Sequence, residues 1–305
     1  MSYRVLVSGF SGPIGTALQA ELDGCDATIT RLVRRSTLDS AKSLAADEIP
    51  WDPTGVLNPA LVSGFDAVIH LAGESVSGRW TDAKKRAIRA SRVLGTTSLA
   101  NALAQTEKKP SVLVSASAIG FYGCRGEDAL TEASAVGRGF LPEVSQAWEN
   151  SANAAVAAGI RVLHPRFGIV LSSHGGALGQ MLPAFKLGLG GPLGNGRQWF
   201  SWISAKDVAG ALLHLMRTES LSGPVNLTAP HAVTNAEFTR VLGSVLKRPA
   251  ILPVPAFALR LIFKDMADEA LLCSAKVLPE RLLASGYSFR YPDLREALEA
   301  AVKSL

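Results

Sequence analysis

Three glycines near the start of the chain stand three residues apart in Gly9-Phe10-Ser11-Gly12-Pro13-Ile14-Gly15. Glycines at that spacing suit one chemistry: a tight turn, close backbone approach to a pyrophosphate, and free N–H groups at the start of a helix. The pattern gains force from its setting between an apolar strand and a helix. A second informative string, Val33-Arg34-Arg35-Ser36, follows the next strand pattern. An acidic residue at that strand end binds the ribose 2′-hydroxyl of NAD, whereas a basic one accommodates the 2′-phosphate of NADP. No carboxylate is present there. Arg34 is the preferred phosphate ligand, then Arg35, with Arg31 third, because a guanidinium makes paired hydrogen bonds to phosphate oxygens. NADP(H) is the cofactor these residues point to.

Such residues act only if regular elements hold them. Arg4 to Ser8 reads as a strand buried on both faces, and Ile14, Leu18 and Leu22 recur on one face of the helix that follows. Further strands are expected over Ala27 to Val33, Ala67 to Leu71, Ser111 to Ser115 and from Arg161, with helices over Ala87 to Ala104 and Val144 to Ala158. This alternation implies an α/β fold, a Rossmann-type doubly wound parallel sheet. Residues 1–170 are expected to form the NADP-binding domain. Residues 171–305 should form a smaller, loop-rich C-terminal substrate lobe, with segments near 203–230 returning to the first domain. Gly175 to Gly196 reads as loop, Asp207 as the cap of a helix, and Gly223 to Thr228 as one more strand. Thr234 to Glu237 has capping-box spacing.

Composition narrows the function classes. A net charge of +5 comes from scattered basic residues, which suits an anionic small ligand better than nucleic acid. Cys25, Cys124 and Cys273 are sparse, odd in number and form no CxxC pair. They argue against a disulfide framework or structural zinc, and for a reducing, cytoplasmic setting. No signal-peptide layout and no membrane-spanning apolar run are evident. No metal is expected, and a monomer or homodimer fits equally.

In chain order, VLVSGFSGPIG, VIHLAGE, VLGTTSLANAL and LVSASAIGFYG resemble the extended short-chain dehydrogenase/reductase family. The strings HLAGES…GRW, GGPLGNGRQWFSWI and LPERLLASGYSFRYPDLREAL are similar to an atypical, epimerase-like NAD(P)-binding branch with its own C-terminal extension. The resemblance implies cofactor contacts from the glycine motif and Arg34, and from Leu71, Ala72 and Gly73 at a strand end. It suggests that Asp52 contacts the adenine, with a turn-forming Asp-Pro as the alternative. Ser115 to Ser117 match the strand end that carries the family's catalytic serine, with Ser117 in the better register. Arg92 stands where the family has an asparagine. The Tyr-x-x-x-Lys pair that moves a proton during hydride transfer is missing, because its positions fall near Phe140 or Leu141 and near Val144 or Ser145.

Other groups remain for chemistry. Tyr122 is the nearest tyrosine, with core packing as its alternative role, and Glu74 follows the cofactor-lining strand as an acid, a base or a helix-starting carboxylate. His70 lies inside an apolar strand and reads as a core histidine. Arg166, Arg197 and Trp199 would suit an anionic, ring-bearing substrate such as a nucleotide sugar. Two functions follow: an NADP(H)-dependent oxidoreductase or epimerase acting on a polar, anionic metabolite, or a non-catalytic NADP(H)-binding sensor or scaffold.

Overall fold

A computed structural model describes residues 3–34 and 44–303. The chain opens with β1 (Tyr3–Ser8), α1 (Pro13–Asp23), β2 (Ala27–Arg34) and β3 (Glu48–Trp51). It continues through β4 (Ala67–His70), α2 (Asp82–Ala104), β5 (Val112–Ser115), the two-residue β6 (Ser117–Ala118) and β7 (Ala129–Leu130). Next come α3 (Phe140–Asn150), α4 (Asn153–Ala157), β8 (Arg161–Phe167) and β9 (Ile169–Leu171). The central sheet runs β3-β2-β1-β4-β5-β8 and ends on β12 (Gly223–Leu227). Its neighbouring strands are parallel, and β6 pairs with the end of β8. Strand order reverses between β1 and β4, which opens a crevice at the carboxyl ends of those two strands, where this architecture binds ligands.

Burial on both faces explains the apolar strand runs. Successive side chains of a strand point to opposite faces. Val5 and Val7 of β1 accordingly join a core with α1, whereas Leu6 joins another with α2 and α4.

The second half adds α5 (Gly176–Lys186), β10 (Trp199–Phe200), β11 (Trp202–Ser204), α6 (Ala205–Arg217) and β12 (Gly223–Leu227). It ends with β13 (Val233–Thr234), α7 (Asn235–Leu246), α8 (Ala256–Phe263), β14 (Lys276–Val277), α9 (Glu280–Ala284) and α10 (Leu294–Lys303). A third core gathers residues of α5, α7 and α10 around Trp202 and Phe238.

Several local expectations are corrected. The stretch expected to be loop from Gly175 contains α5, whose apolar Leu178, Leu182 and Phe185 are buried despite Pro183 inside the helix. The helix expected over Val144 to Ala158 is two, α3 and α4. Asp207 is not the cap of α6: Ser204 is, and its hydroxyl accepts from the Asp207 amide at 2.9 Å. Thr234 does cap α7, accepting from the Glu237 amide at 3.2 Å. Cys124 and Cys273, expected to stay apart, are joined in a disulfide with Cα atoms 5.0 Å apart.

Candidate active site

The glycine turn is shaped by close approach. Gly9 has φ +73°, and a Cβ there would stand 2.6 Å from the Ala72 nitrogen. Only glycine lets the β1 turn lie against the end of β4. A Cβ on Gly15 would fall 2.1 Å from the Phe10 carbonyl oxygen, so this position too excludes any side chain. Gly12 is the N-cap of α1 and Pro13 follows, so no side chain caps this helix. Its first-turn N–H groups and positive dipole end are therefore available to a pyrophosphate.

A cleft of about 670 Å³ lies over this turn, bounded by Gly9 to Ser11, Arg34, Ala72 and Gly73. Arg31 also borders it, but that guanidinium is held by Asp47 at 2.8 Å and Glu48 at 3.3 Å. Arg34 is exposed, sits at the end of β2, and has no ion pair among the described residues. Arg35 lies outside the described residues. Leu71 packs into the core beside the cleft. Asp52 lies outside the cleft lining, and one of its oxygens accepts from the Thr54 amide at 2.9 Å and hydroxyl at 2.7 Å. Those bonds hold its carboxyl below the usual range, so its turn-forming alternative describes its placement.

Glu74 borders the cleft and accepts from Lys84 Nζ at 2.7 Å, a bond that lowers its carboxyl pKa. Arg92 packs behind Gly73 and donates to the carbonyls of Glu74 at 2.9 Å and Ile88 at 3.1 Å. Its guanidinium lies 4.9 Å from the Trp148 ring centre, and burial pushes its pKa down to about 10.

Arg92 also borders a second cavity, of about 220 Å³, on the other side. The walls are mostly apolar: Ala118, Leu141, Val144, Trp148, Phe167 and Trp199. Leu141 and Ser145 occupy the region where a tyrosine and lysine would complete a proton relay. Polar side chains on the lining include Ser145, Ser201, Arg92 and Glu269. Glu269 and the neighbouring Cys273 belong to the C-terminal extension, and the sequence reading missed both as site residues. Neither had a local signal, because α3 and the extension meet only through the fold.

Ser117, Tyr122 and Arg166 are brought together, but away from either cavity lining. Ser117 Oγ donates to Glu149 Oε1 at 2.7 Å, and Arg166 clasps both Glu149 oxygens at 2.8 and 2.9 Å. Arg166 also donates to the Tyr122 hydroxyl at 2.9 Å, which donates to Asn226 Oδ1 at 2.7 Å. All three residues are buried, and burial raises the Tyr122 pKa. The three side chains are thus engaged with Glu149, Asn226 and one another, and none of them lines either cavity. Alternation along β6 turns Ser117 inward and leaves Ala118 facing the cavity. Ser115 is buried with its hydroxyl unpartnered. Trp199 borders the cavity while its indole N–H donates to Glu127 at 2.6 Å; Arg197 is exposed and borders neither cavity. The expected pair of Arg166 and Arg197 therefore does not converge.

His70 is fully buried, hydrogen-bonded to Ser8 Oγ at 2.6 Å and Thr96 Oγ1 at 3.1 Å, as befits a core histidine. No group of three or more His, Cys, Asp or Glu among the described residues is placed to hold a metal ion. No helix among them is long and apolar enough to cross a membrane.

A glycine turn on an uncapped helix, at the reversal point of a parallel sheet, is a dinucleotide site, and the sequence match agrees. Residues 5–227 match the NAD dependent epimerase/dehydratase family, and residues 254–301 match a domain of unknown function, DUF1731. The chain belongs to the NAD dependent epimerase/dehydratase family. It is 40% identical over 296 residues to the epimerase family protein Mb2239 of Mycobacterium bovis, covering 96% of each chain. The crystal structure of the human epimerase family protein SDR39U1 (isoform 2) with NADPH superposes with a TM-score of 0.88 at 32% identity, over 99% of this chain and 100% of that one. A nucleoside-diphosphate sugar epimerase from Corynebacterium glutamicum gives a TM-score of 0.78 at 34% identity, over 98% of this chain and 57% of that one. In this family member the N-terminal turn and cleft fit a nicotinamide dinucleotide, and the second cavity adjoins that cleft at Gly73 and Arg92.

Proposed function

We propose that the protein is an NADP(H)-dependent oxidoreductase whose substrate is a compact, largely apolar carbonyl or hydroxyl compound. The carrying observation is the adjacency of two unlike cavities: a phosphate-suited cleft with an unpaired Arg34 at its mouth, and an apolar one beside it. A bound nicotinamide dinucleotide supplies or accepts hydride. The chain's own part is to cradle the pyrophosphate on the N-terminus of α1, to pair Arg34 with the 2′-phosphate, and to exclude water with the apolar walls. NADPH in the human relative supports the cofactor choice.

An anionic sugar nucleotide, the substrate class of the Corynebacterium relative's name, fits this cavity less well. Arg166 already pairs with Glu149, and Arg197 points no charge into the cavity lining. The sensor or scaffold alternative draws on one observation, the Leu141 and Ser145 side chains where a proton relay would stand. Titration of purified protein with NADPH and NADH tests the cofactor. Arg34→Ala is expected to weaken NADPH binding by roughly tenfold or more, the loss of one charge-assisted phosphate contact, and to leave NADH unchanged. Equal affinity of the wild type for both nucleotides would sink the 2′-phosphate assignment. Turnover of apolar ketones or alcohols separates enzyme from sensor.

A further inference from the structure

The cavity lacks the tyrosine and lysine of its wider family, yet it is not without an ionisable oxygen. Glu269 is contributed by the C-terminal extension, from the π-helical turn Ala267–Leu271. Such turns put an extra residue into a helical path and recur at functional sites. The Glu269 carboxylate reaches the opposite lobe and accepts from the Leu141 amide at 2.9 Å through Oε2. Leu141 is, with Phe140, one of the two residues where the tyrosine is expected. Oε1 makes no hydrogen bond among the described residues, and the side chain borders the apolar cavity with Gly120, Leu141 and Ser145.

The turn is fastened on both sides. Just before it, Asp265 pairs with Lys85 of α2; within it, Asp268 accepts from Arg260 of α8 at 3.0 Å. Just after it, Cys273 is bonded to Cys124, next to the Tyr122–Gly123 turn. A carboxylate on a turn tied at these three points takes its position from the surrounding fold.

We propose that Glu269 is the catalytic acid–base of this protein, supplied by the extension in place of the missing tyrosine. The inference rests on the oxidoreductase reading above. In the oxidative direction the substrate O–H bond breaks and its proton passes to Glu269 Oε1. The oxygen pair then forms the C=O bond as the carbinol hydrogen leaves as hydride to the oxidised nicotinamide. In reduction the carbonyl carbon gains that hydride, the C=O π pair moves to oxygen, and the oxygen takes the proton from the Glu269 carboxyl. Solvent exchanges the proton afterwards, and charge and electrons balance in both directions. Of the cationic groups on α2, Arg92 borders the cavity, Lys84 is held by Glu74 and Lys85 is held by Asp265.

The test uses 1-tetralol with NADP⁺ and 1-tetralone with NADPH on the full chain, alongside the Glu269→Gln variant. Glutamine keeps an oxygen for the Leu141 amide, so the start of α3 stays capped, but it accepts no proton. Turnover is expected to fall by about a hundredfold or more in kcat, the scale of a lost general acid–base. NADPH affinity and thermal midpoint should stay at wild-type values. Glu269→Asp should recover part of the rate, which a purely structural role would not predict. A second readout is independent of turnover: carbodiimide labelling of Glu269, read by peptide mass, should be suppressed by saturating 1-tetralol. Active wild type with an equally active Gln variant overturns the Glu269 assignment alone, as does labelling that 1-tetralol leaves unchanged. Wild type inert toward both probes, with Glu269 protected, overturns the oxidoreductase reading together with the acid–base step.

Discussion

His70 and Ser117 sit at neighbouring strand ends and show which residue roles a sequence can carry. His70 is flanked by apolar residues on a strand buried on both faces, and desolvation lowers its pKa to about 4 from an ordinary 6.5. The fold therefore holds the neutral ring, while the unfolded chain takes up a proton below its ordinary value. Stability is complete above about pH 6.5 and is lost as pH falls toward 4, with a limiting cost of roughly 3 kcal/mol from this residue. Urea denaturation of the wild type and His70→Gln at stepped pH values should show their stability difference shrinking across that window. A pH-independent difference would mean that the imidazole is charged in the fold. Ser117 was legible only as a serine at a strand end. Its true partner, Glu149, lies 32 residues away on α3. Only the pairing of β6 with β8 turns the hydroxyl inward and brings Arg166 beside it. A one-residue shift in a two-residue strand decides between a catalytic and a structural serine, and periodicity cannot fix register over so short a run.

Elements were read well wherever burial imposes a regular pattern. The strands of the central sheet are mostly short apolar runs, and five of them were expected close to their observed bounds, with the start of β8 as well. The four-residue β3, Glu48–Trp51, was not among them, because Glu48 opens it and Pro50 breaks its apolar pair Ile49 and Trp51. The helix α5 was hidden by its glycines and Pro183, which local propensity penalises and tertiary burial of Leu178, Leu182 and Phe185 overrides. The tail string YSFRYPDL was recognisable as a family signature without a physical reason, and α6 provides that reason. Asp207 is fully buried near the start of α6, and accepts from the Arg290 amide at 2.6 Å and the Tyr291 amide at 3.1 Å. The Tyr287 hydroxyl donates to the Asp207 carbonyl at 2.9 Å, and Arg290 pairs with Glu21 of α1. The segment before α10 is thus docked on the cofactor half around Asp207, with Glu21 holding Arg290 beside it. Asp207→Ala should cost about 3 kcal/mol, since the buried carboxylate's charge-assisted bonds to two backbone amides and to the Ser204 hydroxyl are lost together. Hydrogen exchange should accelerate across Tyr287 to Tyr291 while β1 and β4 stay protected. Unchanged exchange in the tail would show that the third core alone holds it.

At the scale of the whole molecule, the extension completes the wall of the second cavity, and the covalent link from Cys124 to Cys273 closes a span of 149 residues. Sparse, unpaired-looking cysteines led the sequence reading toward free thiols, because spacing along the chain says nothing of distance across the fold. The Cα separation of 5.0 Å is within the range a disulfide requires. A cross-link over so long a loop removes unfolded-state entropy worth up to about 5 kcal/mol in the chain-entropy model. Two consequences separate its contribution from that of packing. Cys124→Ser and Cys273→Ser should each lower the urea midpoint of the oxidised protein, and the double variant should match either single one, because one bond is lost in every case. Reductant should bring the wild type down to the same midpoint and leave the variants where they are. The loss should also reach function at a distance. Glu269 is four residues from Cys273, so reduction should weaken proton transfer at the apolar cavity while NADPH binding over Gly9, Gly12 and Gly15, in the other half of the site, stays unchanged. A wild type whose midpoint ignores reductant, with two free thiols at Cys124 and Cys273 by mass, would remove the cross-link and leave the extension held by Asp207 and the third core.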